Sequence, residues 1–337
     1  MSRIEEVAAR AGVSMKTVSR VLNGEPHVRE VLQKKVRRAA AELRYTPNQA
    51  ARKLAGRRSF LIALMYHNPT LTYIAAIQSG AARKCRELGY HLVVESLDEK
   101  MTDFSDVATR LLDVISPDGV ILIPPVVDLR QLNAVLKARQ TPVASIAAGS
   151  RGKGLHIFMD DRKAGYEMTE HLIKLGHQRI GMVRGPESHH AARARFDGYS
   201  DALVAHGIPF RKSLVAQGGF DVESGHSAGL RLLSQASPPT AVFSGNDQMA
   251  LGVMNAARSL NLRIPEDLSV AGFDDSPMAL SSWPQMTTIR QPLQEMGEAA
   301  VVALTSPGAT SLQIDYQLIA RGSTAPLRTR QKRQPVT

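Results

Sequence analysis

Residues 1–23 constrain this chain more than any other stretch. Two short runs with helical period are joined by Gly12-Val13-Ser14. Ile4, Val7, Ala8 and Ala11 fall on one face of the first run, and Val18, Val21 and Leu22 on one face of the second. Gly12 suits the positive φ that a sharp turn after the first helix needs, and Ser14 suits the N-cap of the second. Ala8 is small enough to let two short helices approach. Arg3, Arg10, Lys16 and Arg20 surround the packed pair, so the second helix keeps a polar, basic outer side. Any small helical hairpin would explain the apolar spacing. It would not bring the basic face, the turn chemistry and the cap together, as a helix-turn-helix does.

Charge reinforces this reading. The chain of 337 residues carries a net charge of +11, of which residues 1–60 hold +9 and residues 321–337 hold +5, leaving the body at −3. A basic head on a mildly acidic body suits a polyanion bound at one end. The length allows more than one domain with a substantial core, and a hydrophobic content of 43% is ordinary for a globular protein. The single cysteine, Cys85, excludes an intramolecular disulfide framework, fits a reducing compartment and is expected to pack on a helix face. Acids at positions 5 and 6 replace the apolar core of a signal peptide, and no apolar run approaches a membrane span. The expected location is cytoplasmic, at the nucleoid, with no membrane partner.

Beyond the hairpin, residues 29–43 read as a third helix with an apolar stripe of Val31, Val36, Ala39, Ala40 and Leu43. Tyr45-Thr46-Pro47 breaks the pattern. A segment from Asn48 to Leu54 is again helical in pattern, but too short to be stable alone. From Phe60 onward, strand-length apolar runs at 60–66, 90–97, 119–123, 143–147, 179–183, 240–244 and 268–273 alternate with helical patterns at 73–88, 162–175, 192–206, 224–233 and 247–260. This alternation predicts α/β architecture with doubly wound parallel sheets. The strands are too many for one comfortable sheet, so two lobes with a ligand cleft between them are expected. The segment after Arg321 is polar and basic with no leucine heptad, which argues against an added coiled coil.

Several motifs, in this order, resemble those of the lac-repressor (LacI/GalR) family of bacterial transcription regulators. They are Val7-Ala8, Gly12-Val13-Ser14 and Thr17-Val18-Ser19-Arg20-Val21-Leu22-Asn23, then Tyr45-Thr46-Pro47-Asn48 with Ala51-Arg52 and Leu54. Further on come Leu175-Gly176-His177, Asn246-Asp247-Gln248-Met249-Ala250-Leu251-Gly252, Ile264-Pro265-Glu266-Asp267-Leu268 and Gly272-Phe273-Asp274-Asp275. The resemblance implies a helix-turn-helix head over 1–46, a hinge helix and linker over 47–59, and a two-lobed, periplasmic-binding-protein-like body over 60–325. Lobe 1 would take 60–160 and 291–320, lobe 2 would take 161–290, and 326–337 would be a basic tail.

It also implies a homodimer on a pseudo-palindromic double-stranded operator. In the major groove, Met15, Lys16 and Arg20 would read bases, with Ser14, Thr17, Ser19 and Asn23 nearer the phosphates. Asn48, Ala51, Arg52 and Leu54 would form the minor-groove hinge contact, with Leu54 as the wedge. His27 is read as a packed side chain. Tyr73, His189, Arg195, Phe220, Asn246 and Asp274 would bind a small-molecule effector, whose aromatic and bidentate polar partners suit a sugar. Asp160 and Asp161 lie at an acidic strand end, where Asp161 could instead cap the helix expected from Arg162. Ile146-Ala147-Ala148-Gly149 departs from the family, in which many members carry Asp and Arg at these positions, so no particular member's sugar is implied.

Three other readings compete with this one. An enzyme would need a catalytic constellation, and the sequence has no Gly-x-Ser-x-Gly elbow, no His-Glu-x-x-His and no Walker loop. Gly152-Lys153-Gly154 reads as a plain loop and His171 with His177 as a helix end, so no catalytic residue, metal site or cofactor is expected. A sugar-binding protein without a DNA role conflicts with the basic head. A regulator answering to a purine, a nucleoside or a phosphoprotein partner, or using a corepressor, stays open beside a sugar-induced repressor of carbohydrate uptake and catabolism genes.

Overall fold

The computed structural model describes residues 3–22, 28–45, 58–67, 70–97, 104–147 and 154–327. Asn23, His27, the hinge residues Asn48, Ala51, Arg52 and Leu54, and residues 328–337 lie outside that set. The chain divides into two compact units, residues 1–60 and 61–337.

In the first unit, α1 (Ile4–Ala11) ends at Gly12, whose φ of 66° is left-handed and whose N–H returns to the carbonyls of Ala8 and Ala9. α2 (Met15–Leu22) starts where Ser14 Oγ accepts from the Thr17 N–H at 3.2 Å, the expected cap. α3 (Glu30–Glu42) closes the bundle. Val7, Ala8, Ala11, Val18, Val21, Val36, Ala39 and Ala40 form its core. Val31, expected on the stripe of α3, is 66% exposed. It stands five residues before Val36, about 140° around a helix of 3.6 residues per turn. Leu32, four residues before Val36, occupies the half-buried place instead. Glu42 ties the bundle together at its surface, accepting from Arg38 Nε at 3.0 Å and Arg10 Nε at 2.9 Å. The Arg38 and Arg10 hydrogen bonds hold the Glu42 carboxyl below the usual carboxylate range.

The second unit holds two parallel sheets. The first has the order β11-β5-β4-β3-β1-β2, built from β1 (Leu61–Tyr66), β2 (His91–Ser96), β3 (Gly119–Leu122), β4 (Val143–Ile146), β5 (Leu155–Phe158) and β11 (Leu312–Gln313). The second has the order β7-β6-β8-β9, from β6 (Ile180–Arg184), β7 (Val215–Gln217), β8 (Ala241–Ser244) and β9 (Ser269–Ala271). β10 (Thr288–Arg290) and β12 (Gln317–Ile319) pair antiparallel in a separate ribbon. β1, β3 and β8 are buried along most or all of their length, as strands covered on both faces must be.

The chain passes between the sheets three times. It leaves the first after β5, returns through β10 to α12 (Leu293–Thr305), and crosses back after β11 and β12. The last crossing docks residues 323–327 on the second sheet. Val270 N donates to the Ser323 carbonyl at 2.9 Å, and Leu327 N donates to the Leu175 carbonyl at 2.8 Å. Buried His177 secures this docking, with Nδ1 2.9 Å from Thr240 Oγ1 and Nε2 3.1 Å from both Ser269 Oγ and the Ala325 carbonyl. Cys85 is buried on α4 (Leu71–Glu87). Among the described residues, no helix is long and apolar enough to cross a membrane.

Candidate functional site

The outer face of α2 leaves Met15 half-exposed and Lys16 exposed, with Thr17, Ser19 and Arg20 partly so. Ser14 has a structural duty as cap, and its hydroxyl is also 2.9 Å from Thr17 Oγ1. One side of α2 thus carries Val18 and Val21 into the core while the other holds long, hydrogen-bonding or apolar side chains at the surface.

The second site lies between the two sheets of the body. A cleft there is lined by Tyr73, His189, Arg195, Phe220, Asn246 and Asp274. All six effector residues expected from the sequence therefore meet at one place. Thr70, Pro124, Ala147, Ala191 and Gln291 complete the lining; of these, Ala147 falls in the segment where the sequence departs from the family.

Arg195 projects from α8 (His190–Ala205) and is 5% exposed. Its Nε donates to Asp161 Oδ1 at 2.9 Å, its Nη1 donates to the Gly245 carbonyl at 2.7 Å, and its guanidinium lies 3.6 Å from the Phe273 ring centroid. Asp161 is the first residue of α7 (Asp161–Lys174); the cap is Asp160, which accepts from Lys163 N at 2.9 Å. This corrects the capping role considered for Asp161, whose carboxylate is instead the buried counter-charge of Arg195. Helix packing holds the pair in place: a Cβ on Gly165 would collide with the Arg195 carbonyl, and one on Gly198 with the Arg162 carbonyl.

Asp274 lies 4.0 Å from Arg195 Nη1 and accepts from Gln291 Nε2 at 2.6 Å. Its φ is 121° and that of Asp275 is 55°, a pair of backbone conformations that L-residues rarely adopt. The turn divides the two carboxylates. Asp274 lines the cleft, while Asp275 accepts from Arg290 Nε and Arg321 Nη2, both at 2.6 Å, where the chain crosses between sheets. Burial raises the Asp274 carboxyl well above its ordinary range, against the pull of Arg195. Burial likewise raises Asp247, although Thr288 Oγ1 and Ser276 N each donate to it at 2.7 Å. The Tyr73 phenol is pushed up by burial, and then by the Asp161 charge.

Asn246 is less free than a hydroxyl clamp would be. Its Oδ1 caps α10 (Asp247–Ser259) by accepting from Met249 N at 2.9 Å, and its Nδ2 donates to the Phe220 carbonyl at 3.0 Å. An amide NH₂ carries two donors, so one hydrogen is left for the cleft. The second bond fixes Phe220, whose φ is 68° and whose ring occupies the place a Cβ on Gly185 would take. His189 meets the Phe220 ring edge to face at 5.1 Å. The cleft thus offers two aromatic walls, a buried cation, a buried carboxyl and fixed amide donors. Among the described residues, no group of three or more His, Cys, Asp or Glu side chains could hold a metal. Gln291 was not legible in the sequence, since it sits at a crossing between Arg290 and Pro292 without periodic context.

The model of the family described as "Bacterial regulatory proteins, lacI family" matches residues 3–48, and that of "Periplasmic binding protein-like domain" matches 169–324. The probable HTH-type transcriptional repressor ExuR of Bacillus subtilis is 32% identical over 324 residues, covering 93% of this chain and 94% of the relative. The crystal structure of the lac repressor dimer bound to operator and the anti-inducer ONPF is 30% identical with a TM-score of 0.78, covering 96% of this chain and 99% of that one. A transcriptional regulator CelR–cellobiose complex is 30% identical with a TM-score of 0.72, covering 96% and 100%. With a basic helix-turn-helix head, a two-sheet body around a polar cleft and relatives matched over nearly their whole length, the chain belongs to the lac-repressor (LacI) family of DNA-binding transcriptional repressors.

Proposed function

We propose that the protein is a homodimeric, cytoplasmic repressor of carbohydrate uptake and catabolism genes, released from a pseudo-palindromic operator by a small sugar. The head would span 1–46, the hinge 47–59 and the effector-binding body 60–325, with 326–327 added to the body because Leu327 docks on it. One observation carries the reading: aromatic faces and bidentate polar groups from both lobes line a single cleft. Tyr73 and Phe220 would cover the apolar C–H patches of a sugar ring, and Arg195 and Asp274 would bind its hydroxyls. A CelR–cellobiose complex shares this fold. Ligand closure of the lobes would shift the equilibrium between operator-competent and released states, provided the sugar binds the two with different affinity.

In the head, Met15, Lys16 and Arg20 would face base edges, with Ser14, Thr17, Ser19 and Asn23 toward the backbone. Asn48, Ala51, Arg52 and Leu54 would contact the minor groove. The direct test is binding of the purified protein to DNA upstream of its own gene, at two salt concentrations, with and without a panel of small sugars. Specific binding that weakens with salt and is released by one sugar supports the reading. Specific binding that no sugar disturbs refutes the sugar effector and directs the search to nucleosides, corepressors or a protein partner. Arg20→Ala should cost about 1–3 kcal/mol of discrimination between operator and unrelated DNA, as loss of a bidentate base contact does. Unchanged discrimination would remove Arg20 from base readout.

A further inference from the structure

Helix α8 serves two cavities. Ala191 and Arg195 face the effector cleft, whereas His190, Arg193 and Asp197 face a second one. Its other walls include Arg184 at the carboxyl end of β6, and Phe158 and Gln313 from the first sheet. Ligands of parallel sheets bind outside the carboxyl ends of strands.

Most charges bordering this cavity are already engaged. Asp160 caps α7, Asp161 neutralises Arg195, and Arg162 Nε donates to Asp201 at 2.6 Å. Asp197, exposed one turn beyond Arg193, is the carboxylate not accounted for by such a bond. Arg184 is different. Its guanidinium lies 4.6 Å from the Phe196 ring centroid, and its Nε is buried without a hydrogen bond. Leaving a buried charged donor unsatisfied is costly. Its Nη1 reaches Glu187 Oε1 at 3.1 Å, but that carboxylate is 73% exposed, and such a pair is weak. Arg193 Nη1 donates to the carbonyl of the same Glu187, which brings the two guanidinium groups to one residue. Two arginines around one weakly held carboxylate, one of them with an open Nε, match the bidentate recognition of an oxyanion.

We propose that this second cavity binds a small anionic metabolite, a phosphate monoester or a carboxylate, through Arg184 and Arg193. The anion displaces the Glu187 carboxylate and satisfies Arg184 Nε. Because Gln313 and Phe158 come from the other sheet, the ligand spans both lobes and acts on the same opening as the effector, from a separate site. The proposal does not rest on the effector being a sugar.

Calorimetric titrations of the full-length protein with glucose 6-phosphate, gluconate and glucose test it, in the wild type and in an Asp274→Ala background that disables the effector cleft. At least one anion should bind in both backgrounds, and glucose should not bind in the Asp274→Ala protein. The phosphate and gluconate arms identify which oxyanion is preferred. Arg184→Met, which keeps the packing on Phe196, should weaken the anion at least tenfold while leaving operator binding unchanged. Arg193→Gln, on an exposed side chain, should weaken it several-fold and decides the matter if Arg184→Met does not fold. Absence of anion binding, equal binding to both arginine variants, or loss of binding on Asp274→Ala alone would overturn the proposal.

Discussion

At the scale of single residues, the body buries two carboxyls, Asp247 at the start of α10 and Asp274 in the turn after β9, with little direct charge compensation. Asp161 has Arg195 at 2.9 Å, but Asp274 has the same guanidinium only at 4.0 Å, and Asp247 is held by a hydroxyl and a backbone N–H. Both Asp274 and Asp247 are shifted upward by burial. A carboxyl whose pKa is higher folded than unfolded keeps its proton in the native state after the unfolded chain has released it. The native state then binds more protons, so stability falls as pH rises from the ordinary carboxylate range towards neutrality. For one such group the slope is at most about 1.4 kcal/mol per pH unit. Asp274→Asn cannot titrate, and should flatten this part of the profile. Urea denaturation at several pH values between 4.5 and 8 checks it. A variant profile parallel to that of the wild type would show that Asp274 is ionised throughout.

At the scale of elements, backbone-to-backbone helix contact sets the geometry of the effector cleft. Gly165 on α7 and Gly198 on α8 let the two helices touch, and Arg195 projects from that contact toward Asp161 and Gly245. Gly198→Ala would drive a methyl into the Arg162 carbonyl and Tyr166 N. Overpacking of this kind costs about 1–3 kcal/mol. It should also weaken ligand binding in the cleft, because α8 must move and carry Arg195 with it. Val204→Ala on the same helix, at a side chain 71% exposed, should change stability by less than about 0.5 kcal/mol. Thermal melts with effector titration of both variants distinguish a packing effect at Gly198 from a general intolerance of α8.

The same scale explains what the sequence could convey. The strands at 61–66, 91–96, 119–122, 143–146, 180–184, 241–244 and 269–271 carry apolar runs that any buried parallel strand needs, and all were legible. β7, β10, β11 and β12 have two or three residues each, with β11 exposed on both, and are defined by partners far away in sequence. No local period encodes them. The six cleft residues were legible only through family resemblance, since they come from separate loops and helix starts. The partnership of Asp161 with Arg195 depends on the contact between α7 and α8, which spacing along the chain does not reveal.

At the scale of the whole molecule, the effector cleft draws on both sheets. Tyr73 comes from α4, while Arg195 and Asp274 come from segments that pack with the second sheet. A ligand there touches both sides of the cleft, and it regulates operator binding only if the operator-competent state of the body binds it with a different affinity. Linkage makes this coupling reciprocal. If a saturating sugar weakens operator binding by a factor of about 100, equivalent to roughly 2.7 kcal/mol, then operator DNA must weaken the sugar by the same factor. Measuring sugar affinity on the free protein and on the operator complex gives the second number independently of the first. Tyr73→Ala and Asp274→Ala should each lower sugar affinity while leaving operator affinity without sugar unchanged, one from each side of the cleft. A sugar affinity that is weaker but still finite on the operator complex would show that both ligands occupy the protein together, as selection between common states requires and competition for one surface does not allow. Operator release by sugar that persists unchanged in Tyr73→Ala and Asp274→Ala would instead mean that the sugar acts outside the cleft, and the cleft would have no part in regulation.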